Sequence, residues 1–241
     1  MKNRCVIFDL DGTLIDSRED IANAVNATRR DFNLPPLSLE TVVSYVGDGV
    51  RKLIYRSFAG TDADLEEAIR VMGRHYAEHA VVKTTLYPGV ADGIRVLSEN
   101  GWKLGLVSNK PTELCRMIFR HFGLDAFFCE IIGGSSGFPL KPAPEALFHI
   151  LKESGSDASL SWFCGDNHTD MNAARNGGMR SAYAAYGFGT LGFVYFMDGD
   201  PAGIVCTFIA FFTAALVIYM HRGNIKRLAA HTEKKLGEKA K

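Results

Sequence analysis

In FDLDGTLIDS, Phe8 to Ser17, an apolar run that begins at Cys5 ends on two aspartates, Asp9 and Asp11, with Gly12 directly behind them. Residues 4–8, RCVIF, read as a short strand, because a continuous apolar run closed by a turn suits a strand buried on both faces. A strand of that kind calls for a parallel sheet, and the remainder of the chain is consistent with one. From Asp16 to Phe32 the pattern turns helical, with Ile21, Ala22, Val25 and Thr28 near one face, and Pro35 and Pro36 end it. Ser38 caps a further helix that stops near the glycines of VGDG, residues 46–49, and two more helices are predicted over 50–59 and 62–80. Residues 17–84 thus read as helical throughout, with no strand.

Beyond Tyr87–Pro88–Gly89 the rhythm alternates. Helices are predicted at 90–100, 113–121, 144–153 and 169–176, and strands at 103–108, 127–132, 160–164 and 181–186. This alternation predicts an α/β fold, a parallel sheet with helices on both faces, from which the helical segment 17–84 is an insertion. In open sheets of this class ligands bind outside the carboxyl ends of the strands. Polar residues gather at four such ends: Asp9 and Asp11, then Ser108–Asn109–Lys110, then Lys141, then Asp166 and Asp170. Singly each is weak. Aspartates before glycine are a common turn, a serine after a strand is often a cap, a lone lysine is usually surface charge, and Asp170 alone is a helical surface residue or cap. Together and in this order they mark a site.

Composition narrows its chemistry. Lys and Arg number 27 and Asp and Glu 27, so net charge is zero and no nucleic-acid footprint is expected. Five widely spaced cysteines predict free thiols in a reducing compartment, and no signal peptide is expected ahead of the first aspartates. Carboxylates with a lysine, and no cysteine or histidine partner, suit a hard cation such as Mg²⁺ held by oxygen. His168 is read as an exposed loop residue. A carboxylate at Asp9 can attack phosphorus, Asp11 can exchange a proton with the leaving oxygen, and Lys141, Ser108 and Mg²⁺ can take up phosphoryl charge.

At this point the chain resembles the haloacid dehalogenase superfamily in its phosphatase branch, through FDLDGTLIDS, LVSNK (106–110), KPAPEAL (141–147) and GDNHTDMNAARNGG (165–178). Further likeness to its phosphoglycolate-hydrolysing members lies in AVNA (24–27), LPPLSLE (34–40), VGDGVRKL (46–53), LYPGV (86–90) and YGFG (186–189). The resemblance implies a Rossmann-like core of residues 1–16 and 85–190 and a helical cap of residues 17–84. It implies Asp9 as nucleophile and Asp11 as general acid and base, with Thr13 orienting Asp11. It implies phosphate binding by Ser108, Asn109 and Lys141, Mg²⁺ held by Asp9, Asp11 and Asp166, and support from Asp170. The cap loop, Gly47, Asp48 and Gly49 with Arg51 and Lys52 beside it, is expected to touch substrate, either arginine or lysine being also a candidate for plain surface charge. The expected substrate is a small phosphorylated metabolite, first of all 2-phosphoglycolate. Other phosphate esters, pyrophosphate or a sugar-phosphate mutase reaction are the alternatives, and a membrane-tethered binding protein is the non-enzymatic one. Ser135 departs from the family habit of an acidic residue after Gly-Gly.

Residues 191–241 leave the resemblance. Positions 202–220, AGIVCTFIAFFTAALVIYM, are nineteen residues without a charge. At about 1.5 Å per residue they reach the lower limit for a membrane span. From His221 onward seven Lys and Arg face two Glu, which by the positive-inside rule would keep the tail cytoplasmic. The expectation is therefore a cytoplasmic protein associated with a membrane through 202–220, against a helix packed on the domain or at an oligomer contact, or an altered C-terminus. The oligomeric state is not legible.

Overall fold

A computed structural model of the chain describes residues 3–189. Five strands, β1 (Cys5–Phe8), β4 (Lys103–Val107), β5 (Glu130–Ile132), β6 (Trp162–Gly165) and β7 (Arg180–Tyr183), form one parallel sheet in the order β5-β4-β1-β6-β7. β1 is central, with Phe8 beside Leu106 on one side and Cys164 on the other. Its unbroken apolar text follows from that position. Val6 packs with Leu104, Leu106 and Ile131 on one face, while Cys5 and Ile7 pack with Phe163 on the other.

Helices α5 (Val90–Glu99) and α6 (Thr112–His121) cover the first face through Ile94, Ile118 and Phe119. Helices α7 (Glu145–Glu153) and α8 (His168–Asn176) cover the second through Ala146, Leu147, Ile150, Ala173 and Ala174. Each fully buried leucine, isoleucine or phenylalanine among them contributes about 1.5–3 kcal/mol. Gly105 in β4 lets α7 approach, since a Cβ there would stand 2.8 Å from Ile150 Cγ2. The expected α/β class and parallel sheet are what the chain forms.

Four helices stand between β1 and the rest of the sheet: α1 (Arg18–Asp31), α2 (Leu39–Val43), α3 (Val50–Ser57) and α4 (Leu65–His79). They share a separate apolar cluster around Val25, Ile54, Phe58, Met72 and Tyr76, against which Leu114 and Met117 of α6 also pack. Ser38 caps α2 as expected, its side chain accepting from the Thr41 amide.

Several details differ from the expectation, among them β6, expected at 160–164, and β7, expected at 181–186. The chain leaves and re-enters the sheet domain through a two-residue antiparallel pair, β2 (Ile15–Asp16) with β3 (Thr85–Leu86), too short to imprint a period on the sequence. β5 begins at Glu130 rather than 127, because Asp125–Phe127 form a 3₁₀ turn. Beside β3 the buried Asp20 carboxylate of α1 accepts from the amides of Lys83 and Thr84 and from the Thr84 hydroxyl, all at 2.8–3.0 Å.

The membrane expectation is corrected. Among the described residues no helix is long and apolar enough to cross a membrane, so membrane association and a membrane-linked location are withdrawn. Residues 202–220, on which that expectation was placed, lie outside the described residues.

Candidate active site

The β1 end sets the first two carboxylates. The Asp9 amide donates to the Cys164 carbonyl at 2.8 Å, which continues the sheet by one residue, and Leu10, fully buried, anchors the turn between the aspartates. The amides of Thr13, Leu14 and Ile15 all reach the Leu10 carbonyl, closing a tight loop. Gly12 makes that loop feasible: its φ is +79°, and a Cβ there would lie 2.1 Å from Asp166 Oδ2. The sequence's DG pair thereby brings the first strand's turn against the carboxylate that follows β6.

Lys141 lies between two acids. Its Nζ stands 2.6 Å from Asp9 Oδ1 and 2.7 Å from Asp170 Oδ1, with its side chain 2% exposed. Asp170, in the first turn of α8, accepts the Asn167 amide at 2.9 Å with its other oxygen, completing a capping box. Asp166, buried at the end of β6, accepts the amides of Phe188 (2.5 Å) and Gly189 (3.0 Å) on Oδ2. Burial pushes the Asp9 carboxyl up to about 6, against the pull of Lys141. Burial, with the charges of Asp9 and Asp170, pushes Asp166 up to about 7.

Carboxylate oxygens of Asp9, Asp166 and Asp170 lie within 4.8 Å of one another. Their all-oxygen character suits a hard divalent cation. Charge agrees with that. Among the described residues Asp9, Asp11, Asp166 and Asp170 face two ammonium groups, Lys110 and Lys141, so full ionisation leaves a surplus of negative charge there.

Asp11 is held differently. Lys110 Nζ lies 2.6 Å from its Oδ1 and 2.7 Å from its Oδ2, and the Ser17 hydroxyl donates to Oδ1 at 2.5 Å. Thr13, expected to orient Asp11, is buried, but among the described residues its hydroxyl has no hydrogen-bond partner, and its carbonyl instead accepts from the Tyr186 hydroxyl at 2.9 Å. Ser108 ends β4, buried, and accepts the Lys110 amide at 3.4 Å. Asn109 is a tie between segments. Its Oδ1 accepts the Lys141 amide at 2.9 Å, and its Nδ2 donates to the Gly47 carbonyl at 3.0 Å.

Above these residues lies a cavity of about 220 Å³. Asp9, Asp11, Ser108, Asn109 and Asp166 line it from the sheet side, and Gly47 and Gly49 of the insert loop line it from the other. Asp48, Arg51 and Lys52 do not line it. Arg51 pairs with Glu66 and Tyr55 at the surface, and Asp48 with Arg56 (2.5 Å) and Lys52 (3.4 Å). His168 is exposed, as expected, but it opens α8 rather than lying in a loop.

Three residues of the site escaped the sequence reading of its roles. Lys110 carried a signal, since it directly follows Ser108–Asn109 at a strand end. Ser17 looked like the start of a helix, which it also is. Tyr76 lines the cavity from α4, where an apolar face makes an aromatic look like ordinary core.

Comparison with known proteins agrees with this geometry. Residues 6–184 match the haloacid dehalogenase-like hydrolase family. The chain is 36% identical over 193 residues to phosphoglycolate phosphatase 1 of Pseudomonas aeruginosa, covering 77% of this chain and 70% of that protein. It is 35% identical over 185 residues to the phosphoglycolate phosphatase of Aquifex aeolicus, covering 77% and 86%. Among solved structures, one described as a predicted phosphoglycolate phosphatase from Haemophilus somnus superposes with a TM-score of 0.75 at 30% identity, over 78% of this chain and 88% of that one.

Proposed function

Because this chain belongs to the haloacid dehalogenase-like hydrolase family, we propose that it is a Mg²⁺-dependent phosphomonoesterase that works through an aspartyl-phosphate, with 2-phosphoglycolate as its substrate. One observation carries the reading: three strand ends deliver Asp9, Asp166 and Asp170 around Lys141, with Asp9, Asp11 and Asp166 lining one cavity.

Asp9, Asp166 and Asp170 would hold the cation. When bound it supplies Lewis-acid neutralisation of phosphoryl oxygens. The remaining work falls to side chains. Asp9 attacks phosphorus as its carboxylate, and the bond from phosphorus to the ester oxygen breaks. Asp11, both of whose oxygens accept from Lys110, relays a proton brought in by the singly protonated phosphate ester to that departing oxygen. Asp11, ionised again, takes a proton from water as the water oxygen attacks phosphorus, and the Asp9 carboxylate leaves, releasing inorganic phosphate. Lys141 and Ser108 neutralise and hydrogen-bond the transferring group, and Asn109 fixes Lys141 by its backbone.

In this reading residues 1–16 and 85–190 are the catalytic core and 17–84 the cap. The contact between Asn109 and the Gly47 carbonyl supports a cap that rests on the catalytic edge and keeps water from the reacting atoms. Phosphate release is measured from 2-phosphoglycolate, a sugar phosphate, a nucleotide and pyrophosphate, with Mg²⁺ and with chelator. Release fastest from 2-phosphoglycolate and lost with chelator is expected. Isomerisation of the sugar phosphate without release, or no release from any of the four, refutes the reading.

A further inference from the structure

The two sides of the cavity differ in chemistry. The insert contributes mainly apolar groups, among them Ile21, Leu53, Ile69 and Met72, while the sheet side is acidic. Lys110 is the single cationic side chain among the described residues that line it. An ammonium has three N–H donors, and Asp11 takes two of them. The same Nζ stands 4.6 Å from the centre of the Tyr76 ring.

Tyr76 is 2% exposed, and among the described residues its hydroxyl closes no hydrogen bond of regular geometry, although the residue lines the cavity. Lys110 acts on the phenol both by its charge and through a side-chain hydrogen-bonding contact, but that contact falls short of regular geometry and leaves the phenol's own O–H unspent. A buried hydroxyl without a partner is costly and rare, which asks for a ligand to satisfy it. Burial pushes this phenol up to about 12, so at neutral pH it is a protonated donor. The two groups come from different parts of the fold, Lys110 from the loop after β4 and Tyr76 from α4 of the insert.

We propose that Tyr76 and Lys110 together receive a carboxylate carried on the short leaving group of the substrate, and that this pair, not Arg51 or Lys52, reads substrate charge. The inference rests on the phosphomonoesterase reading and names the specificity element of that same site. Two hydrogen-bond donors, one of them positive, stand against an otherwise apolar roof. An alkyl leaving group would leave the phenol O–H unsatisfied and add nothing to the ammonium that Asp11 already holds, whereas a carboxylate accepts from the phenol and sets a second negative charge beside Lys110. Arg51 and Lys52 have surface partners of their own and do not line the cavity.

The test compares kcat/KM for 2-phosphoglycolate with kcat/KM for 2-hydroxyethyl phosphate, which replaces the carboxylate by a neutral hydroxymethyl group. The readout is their ratio, because Lys110 also holds Asp11 and its loss slows both esters. The wild-type chain is expected to favour 2-phosphoglycolate. Tyr76→Phe, which keeps the ring and the packing, should lower the ratio about 10-fold through KM, as expected for one hydrogen bond to a charged group. Lys110→Met should lower it about 100-fold, a buried charge partner being worth more than a neutral donor. A wild-type enzyme indifferent to the carboxylate, or variants that slow both esters equally, would overturn the receptor while leaving the phosphatase reading intact. A wild-type chain that releases phosphate from neither ester overturns the phosphatase reading, and the receptor with it.

Discussion

Replacing Lys141 by methionine removes a charge while keeping most of the buried stem, so its consequences follow from electrostatics. The ammonium lies 2.6 Å from Asp9 and 2.7 Å from Asp170, and the Asp170 side chain is fully buried. Without it Asp9, Asp166 and Asp170 are left as a cluster of carboxylates away from water, with no opposite charge between Asp9 and Asp170. Removing one partner of a buried pair costs about 3–5 kcal/mol, a large share of the roughly 5–15 kcal/mol that stabilises a domain. Urea unfolding at pH 7.5 in the absence of metal should therefore show a midpoint about 2 M lower, taking a slope near 2 kcal/mol per M. The deficit should shrink on acidification, because the acids left behind are held more protonated in the folded chain than in the unfolded one. It should shrink also on adding Mg²⁺, which replaces the lost charge. Phosphate release should fall about 100-fold or more even where Mg²⁺ restores stability. A loss below about 1 kcal/mol, or a larger one indifferent to both pH and Mg²⁺, would refute the electrostatic account of this cluster.

Metal-free protein should itself respond to pH. Asp9 at about 6 and Asp166 at about 7 lie above their ordinary 3.8, so their contribution to stability is full at low pH and is lost as pH rises through 6 to 7. Melting temperature should thus gain from these acids between pH 8 and 5.5 without metal, and saturating Mg²⁺ should flatten that gain; identical pH profiles with and without Mg²⁺ would contradict the site. Asp20→Ala should cost about 3 kcal/mol, since one buried carboxylate accepts from Lys83 and Thr84 where the insert rejoins the sheet domain. Chemical denaturation checks it, and a change within about 0.5 kcal/mol would show that the tie is not needed.

Much of the fold could be read ahead because β1 is buried on both faces and its text is apolar without alternation. The glycine and proline breaks at Gly12, Pro35–Pro36 and Pro88–Gly89 fixed where elements stop. The β2–β3 pair was not legible, since two residues carry no period, and the start of β5 was misplaced because Phe127 and Phe128 are apolar in a turn as in a strand. In the site, Asp9, Asp166, Asp170 and Lys141 do meet, as their positions after successive parallel strands imply. The cap residues show the limit. Arg51 and Lys52 stand next to a cavity-lining loop in sequence, yet their helix turns both outward to Glu66 and Asp48. Lys110 and Tyr76 face the cavity from positions whose side-chain direction only the meeting of α4 with the loop after β4 decides. Ser17 took the place expected of Thr13 beside Asp11, because the Gly12 turn points the Thr13 side chain into the interior.

The central claim is that Asp9 takes the phosphoryl group in a reaction that needs Mg²⁺. Acid-quenching the enzyme during turnover of 2-phosphoglycolate, followed by mass spectrometry of its peptides, tests this directly. The account predicts a peptide bearing Asp9 that is heavier by one phosphoryl group, absent with chelator and absent in Asp9→Asn, which should keep its fold and release no phosphate. Phosphate release at near wild-type rate by Asp9→Asn, or a phosphoryl group found on another residue, would contradict it.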